Sequence, residues 1–156
     1  LPWYGPPMSV RSFATARLME TWAHGQDILD GLTAAGAPAE RPPTDRLRHL
    51  CRLGWSTRLW SYAVRGAEPP IESVRVELTL PSGTPWNAGD DDATSIVRGS
   101  AEDFCLVVTQ RRNVADTALD VNGDAASSWM AIAQCFAGPP TLPPAPGSRR
   151  AQSPGD

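Results

Sequence analysis

The chain has 156 residues, 41% of them hydrophobic and 20% charged, with a net charge of −3 at neutral pH. That length suits one domain or two small ones, and the acidic balance supplies no basic field for nucleic acid. No apolar run approaches the ~20 residues of a membrane-spanning helix and no signal peptide is visible, so the expected location is cytoplasmic.

The first residue is Leu1, and LPWYGPPM reads as a loop feeding a helix, as expected of a fragment with further sequence upstream. Ser9 is a good N-cap for a long helix over Ser9–Leu32. On it Arg17, Glu20, His24 and Asp27 share one stripe, and Leu18, Trp22, Gly25, Leu29 and Leu32 share another. Thr33–Pro43 is an Ala/Gly/Pro linker. Thr44 is expected to cap a second helix, Asp45–Arg65, closed by Gly66 and Pro69-Pro70.

Val74–Leu80 alternates apolar and polar residues, the pattern of a half-buried strand. Pro81–Thr84 is a turn, Trp86 lies in a short returning strand, and Thr94–Arg98 is a third strand stopped at Gly99. Asp90–Asp92, without the Gly and distal Glu of a calcium loop, is a solvated acidic loop. Ser100–Asp103 opens a helix through Phe104 and Val108 to about Arg112. Leu119–Val121 is a fourth strand. Asp124 is expected to cap a last helix through Trp129, Ile132 and Phe136 that ends at Gly138-Pro139-Pro140. Thr141–Asp156 is Pro/Ser/Gly/Arg-rich and expected to be disordered. The fold class is therefore α+β: one helix, a linker, then α-β-β-β-α-β-α.

Glu20, His24 and Asp27 are the residues that most resemble chemistry. Glu and His at i, i+4 can point at one metal ion, and an acidic neighbour can orient the imidazole. The alternative is an ion-paired helix face, with Arg17 to Glu20 and His24 to Asp27. His49 stands among Arg46, Arg48 and Arg52, a setting that makes it a poor third ligand. Arg111 and Arg112 either interact with a helix C-terminus or grip a carboxylate as an anion clamp. Cys51, Cys105 and Cys135 are odd in number and embedded in apolar patterns, as expected of buried free thiols. No P-loop, dinucleotide-binding Gly fingerprint or nucleophile elbow is present.

The stretch FATARLMETWAHGQDI resembles the last helix of the DinB-like, mycothiol-dependent maleylpyruvate isomerase type of metal-binding domain. WSYAVRG (60–66), VRVELTL (74–80), DFCLVVTQRR (103–112) and AIAQCFAGPP (131–140) resemble the rest of an actinobacterial family in that group, whose members often carry the label wyosine base formation domain. The resemblance implies a four-helix bundle joined to a small sterol-carrier-like α+β domain. Residues 1–35 would then hold the last bundle helix, 44–138 the α+β domain and 139–156 a tail. It also implies a divalent metal, usually zinc, held by an upstream His together with residues matching Glu20 and His24. Asp27 would orient the imidazole. Mycothiol is implied as thiol co-substrate, and a small molecule as substrate. Asn113 stands where the family has a His after Gln110-Arg111-Arg112. An upstream helical segment or a second chain is expected to cover helix 9–32. Two other expectations follow from the residues. One is a non-catalytic module holding a ligand or partner in a Trp-rich interior (Trp55, Trp60, Trp86, Trp129). The other is a truncated product exposing Leu18, Trp22 and Leu29.

Overall fold

The computed structural model describes residues 9–148. The expectations for Leu1–Met8 and for 149–156 lie outside these residues. Helix α1 spans Val10–Ala34, and the Ser9 hydroxyl caps it by accepting from the Ser12 amide at 3.1 Å. After the linker come α2 (Leu47–Ser56) and α3 (Arg58–Ala63), then β1 (Val74–Thr79), β2 (Pro85–Ala88) and β3 (Ser95–Ser100). Helix α4 (Ala101–Val108), a 3-10 turn at Val114–Asp116, β4 (Asp120–Asn122) and α5 (Asp124–Ile132) complete the order. The architecture is α+β.

The four strands form one mixed sheet in the order β2-β1-β3-β4, with β1 and β3 parallel and the outer pairs antiparallel. The alternation in β1 is used as expected. Val74, Val76 and Leu78 are buried with Val97 of β3 under the helices. The intervening residues carry an ionic ladder in which Glu77 accepts from Arg75 and Arg98, both at 2.7 Å. Phe104 and Trp129 meet edge-to-face at 5.8 Å and anchor α4 and α5 in the core.

Gly54 explains how close α2 comes to α4. A Cβ there would lie 2.8 Å from Val108 Cγ2 and 3.0 Å from Phe104 Cε1, so the helices meet through a residue with no side chain.

Several boundaries differ from the sequence expectation. The second helix is broken at Thr57, whose hydroxyl donates to the Leu53 and Gly54 carbonyls at 2.8 and 3.1 Å, while Ser56 also donates to Leu53. These hydroxyls satisfy last-turn carbonyls and let the chain turn. Thr44 makes no side-chain cap, and Asp45 serves the β1–β2 turn instead, accepting from the Ser82 amide and hydroxyl at 3.0 and 2.7 Å. The fourth strand is shifted by one residue. At the start of α5, Gly123 takes the cap position at φ 88°, and a Cβ there would collide with Ser95. Helix α5 stops at Ile132 because Ala133–Phe136 is drawn into extended contacts, among them the Cys135 amide donating to the Val108 carbonyl at 2.9 Å.

The Trp-rich interior is also corrected. Trp129 is fully buried and Trp86 packs partly against the core, whereas Trp55 and Trp60 stand at the surface, 36% and 41% exposed. The three cysteines are buried free thiols. Residues 139–148, expected within the disordered tail, have no regular helix or strand. They are nonetheless tied down: Thr141 to Gln110 and Gln134, the Pro144 carbonyl to Asn113, and the Gly147 amide to Asp116.

Candidate functional site

The site is built on α1, so the first question is how α1 is held. Its buried residues are Met19 and Ala23, with Leu18 and Trp22 packed partly against the core. Leu18, Trp22 and Leu29 are each half-buried and so do not form an exposed stripe. The apolar residues left most exposed on α1 are Val10, Ile28 and Leu32. At about 100° per residue, Val10 and Ile28 share an outward face with Ala14, Arg17 and Thr21.

The linker returns across α1. Arg41 donates to the Trp22 carbonyl at 2.9 Å and to Gln26 Oε1 at 3.2 Å, and its guanidinium lies 5.0 Å from the Trp22 ring centroid. Gly25 leaves the space for it, since a Cβ there would sit 2.5 Å from Arg41 Nη1. A glycine in mid-helix costs about 1 kcal/mol against alanine, and here it opens the helix backbone to the strap.

Two bidentate ion pairs complete the docking. Arg111 donates to Asp27 through Nε at 3.2 Å and Nη2 at 2.7 Å. Arg112 donates to both Asp30 oxygens at 2.7 Å. Both carboxylates belong to α1, three residues apart. Neither arginine simply decorates a helix end: α4 stops at Val108, and the two side chains reach 84 and 82 residues back along the chain. Burial alone would raise the Asp27 pKa, but the hydrogen bonds and charge of Arg111, helped by His24, outweigh it and hold the carboxyl below its ordinary value.

Gln110 aims this pair of arginines. It is the non-glycine residue with positive φ (59°) among those described. It occupies the left-handed position after α4, where its amide donates to Val107 and the Arg111 amide to Leu106, at 2.9 and 2.8 Å. This is a Schellman stop with glutamine where glycine is usual. The side chain accounts for the choice. Nε2 donates to the Ala133 and Thr141 carbonyls at 3.0 and 3.1 Å, and Oε1 accepts from the Thr141 hydroxyl at 2.6 Å. Sequence reading missed Gln110. The available signal was a helix end without a glycine, followed at once by Arg-Arg.

Glu20, His24 and Asp27 come together on the flank of α1 next to its buried face. His24 Nε2 lies 3.2 Å from Glu20 Oε2, and Nδ1 lies 3.3 Å from Asp27 Oδ2. Arg17 takes no part in these pairs. Both ring nitrogens thus face carboxylates. If Nδ1 carries a proton toward Asp27, then Nε2 and the Glu20 oxygen are two acceptors facing each other, an arrangement that a metal ion between them would satisfy. Two donors each about 2.0–2.1 Å from a tetrahedral metal are roughly 3.3 Å apart, so the 3.2 Å separation has the bite of a ligand pair. Among the described residues, no three His, Cys, Asp or Glu side chains converge closely enough to hold a metal. His49, on α2, is not brought to this pair.

Beyond Asp27, a cleft of about 1370 Å³ opens between the C-terminal half of α1, the linker and α4, with Arg41, Glu102, Arg111 and Arg112 among its walls. Burial, and then the neighbouring Asp103, push the Glu102 carboxyl up, and Arg41 offsets this in part.

Comparison with known proteins gives a consistent picture. Two Mycobacterium tuberculosis proteins match, Uncharacterized protein MT0041 (strain CDC 1551 / Oshkosh) and Uncharacterized protein Rv0036c (strain ATCC 25618 / H37Rv). Each is 54% identical over 142 residues, which is 90% of this chain and 52% of the relative. The chain therefore spans about half the length of the curated relatives it matches. No solved structure matches it. The family model for the mycothiol maleylpyruvate isomerase N-terminal domain matches residues 1–29, the stretch that carries Glu20, His24 and Asp27, and this supports the mycothiol isomerase-type family.

Proposed function

We propose that α1 carries part of a divalent-metal site of the mycothiol-dependent isomerase type, with Glu20 and His24 as two of its ligands. The observation that carries the reading is the 3.2 Å bite between His24 Nε2 and Glu20 Oε2, with Nδ1 turned to Asp27. The family match over residues 1–29 supports it. The donor set suits zinc, but two ligands fall short of the three that a catalytic zinc takes from protein. The third is assigned to helical sequence upstream of Leu1, packed on the outward face of α1.

When bound, the metal would supply a Lewis acid that lowers a thiol's pKa and holds the thiolate. This chain's own residues set the stage. Asp27 fixes the imidazole tautomer by accepting from Nδ1, leaving Nε2 as the ligating nitrogen. Arg111 keeps Asp27 ionised and in place, and Gln110 orients the turn that carries Arg111. The two guanidinium forks are engaged by Asp27 and Asp30. Their role in this reading is therefore to join α1 to the α+β body beside the site, not to clamp substrate as separate cations. Mycothiol as co-substrate, a small-molecule substrate and cytoplasmic location belong to the same reading.

The experiment is metal analysis after exhaustive dialysis of the protein extended upstream to the length of its relatives. About one equivalent of zinc is expected to stay bound and to be lost in Glu20→Ala. No retained metal, or retention unchanged by the substitution, overturns the reading.

A further inference from the structure

A second concavity lies on the other flank of α1. At about 100° per residue, Arg11, Thr15 and Leu18 point away from the Glu20–His24 stripe, with the buried Met19–Ala23 face between the two. There α1 and α2 enclose a groove of about 570 Å³, whose walls include Arg11, Thr15, Leu18, His49 and Arg52. In a chain of net charge −3 this groove has two guanidinium groups and an imidazole in its lining and, among the described residues, no carboxylate.

Among the described residues, neither Arg11 nor Arg52 makes an ion pair, in contrast to Arg48, Arg75, Arg98, Arg111 and Arg112. The groove begins in the first turn of α1, which holds no acidic residue to offset the positive end of the helix.

We propose that this groove binds a phosphorylated small molecule, its phosphate gripped between Arg11 and Arg52. Three features select that class. Two arginines on separate helices lining one groove suit a tetrahedral dianion with three free oxygens, whereas one fork already satisfies a carboxylate. The volume falls in the range of small-molecule sites, about 300–1,000 Å³, and exceeds what a bare phosphate needs. Leu18 and Leu53 supply apolar wall for an organic remainder. The inference is independent of the metal reading, because no residue is shared.

The test is an NMR titration of the 156-residue chain with glycerol 3-phosphate, followed by amide shifts. Saturable shifts are expected at Arg11, Thr15 and Arg52. Arg11→Gln and Arg52→Gln are each expected to weaken binding about tenfold or more. Arg17→Gln, an exposed site on the outward face of the same helix, should change it less than about twofold. Both groove arginines are exposed, so the variants should fold, which thermal unfolding checks. Four results would each overturn the proposal: shifts that never saturate, shifts centred on His24 and Arg111, an Arg17→Gln effect equal to that of Arg52→Gln, or malonate binding as tightly as the phosphate ester.

Discussion

Removing Arg112 tests whether α1 is fastened to the α+β body by its ion pairs. The guanidinium is nearly buried, with 7% of its side chain exposed, and its partner Asp30 keeps 23%. Two hydrogen bonds of 2.7 Å join them, and Nη1 also donates to the Arg111 carbonyl. At an effective dielectric near 20, two unit charges about 4 Å apart attract by roughly 4 kcal/mol. Desolvation of each ion and the buried Arg112 Nε, without a hydrogen-bond partner among the described residues, lower the pair's net contribution to stability but cancel in a double-mutant cycle. Solvent screening at the partly exposed Asp30 and ordering of the two side chains reduce the attraction to a coupling of about 1–3 kcal/mol, well above the ~0–1 kcal/mol of an exposed pair. The assay is urea unfolding of wild type, Arg112→Ala, Asp30→Ala and the double variant, read as a double-mutant cycle. A coupling below about 0.5 kcal/mol would refute the claim that this pair docks the helix.

Three further outcomes follow from the same structure. Asp27 has a folded-state pKa below its ordinary 3.8, so its contribution is fully present above that value and is lost as pH falls through the folded value. The urea-midpoint advantage of wild type over Asp27→Asn should narrow as pH falls below 3.8, and an advantage that persists undiminished well below that value would count against the ion pairing of Asp27. Gly54→Ala should destabilise by about 1–2 kcal/mol, the cost of overpacking against Val108 and Phe104 less the gain in helix propensity; a higher melting temperature would contradict the close α2–α4 approach. Gln110→Ala and Gln110→Gly both lose the ties to Ala133 and Thr141, but only Ala keeps a side chain at φ 59°. The Gly variant should therefore be about 1 kcal/mol more stable in denaturant unfolding, and an Ala variant of equal stability would remove the strain argument.

What could be read from sequence was local. The period-2 pattern of Val74–Leu80 foretold β1 and its buried face, and Ser9 foretold the start of α1, because each signal is complete within a few residues. The break at Thr57 was not legible, because Thr57 can cap a helix end or sit within one, and packing decided. The docking of α1 was hidden for a different reason. Asp27 and Asp30 lie more than 80 residues from Arg111 and Arg112, and no periodicity links them. The trace was a matched doublet: two acids three apart on a helix and two adjacent arginines after a helix end. Gly25 was read as part of an apolar stripe, and only the path of Arg41 explains it. The Glu20–His24 spacing was visible, whereas the contact of Asp27 with both His24 and Arg111 needed coordinates.

The central claim is that Glu20 and His24 form a metal-ligating pair and not merely an ion-paired helix face. Calorimetric titration of the 156-residue chain with Zn²⁺ tests it most directly, alongside Glu20→Ala and His24→Ala. The account predicts weak one-to-one binding, as two protein ligands allow, reduced at least about tenfold by either substitution. Zinc affinity that is absent in wild type, or unchanged in both variants, would contradict it.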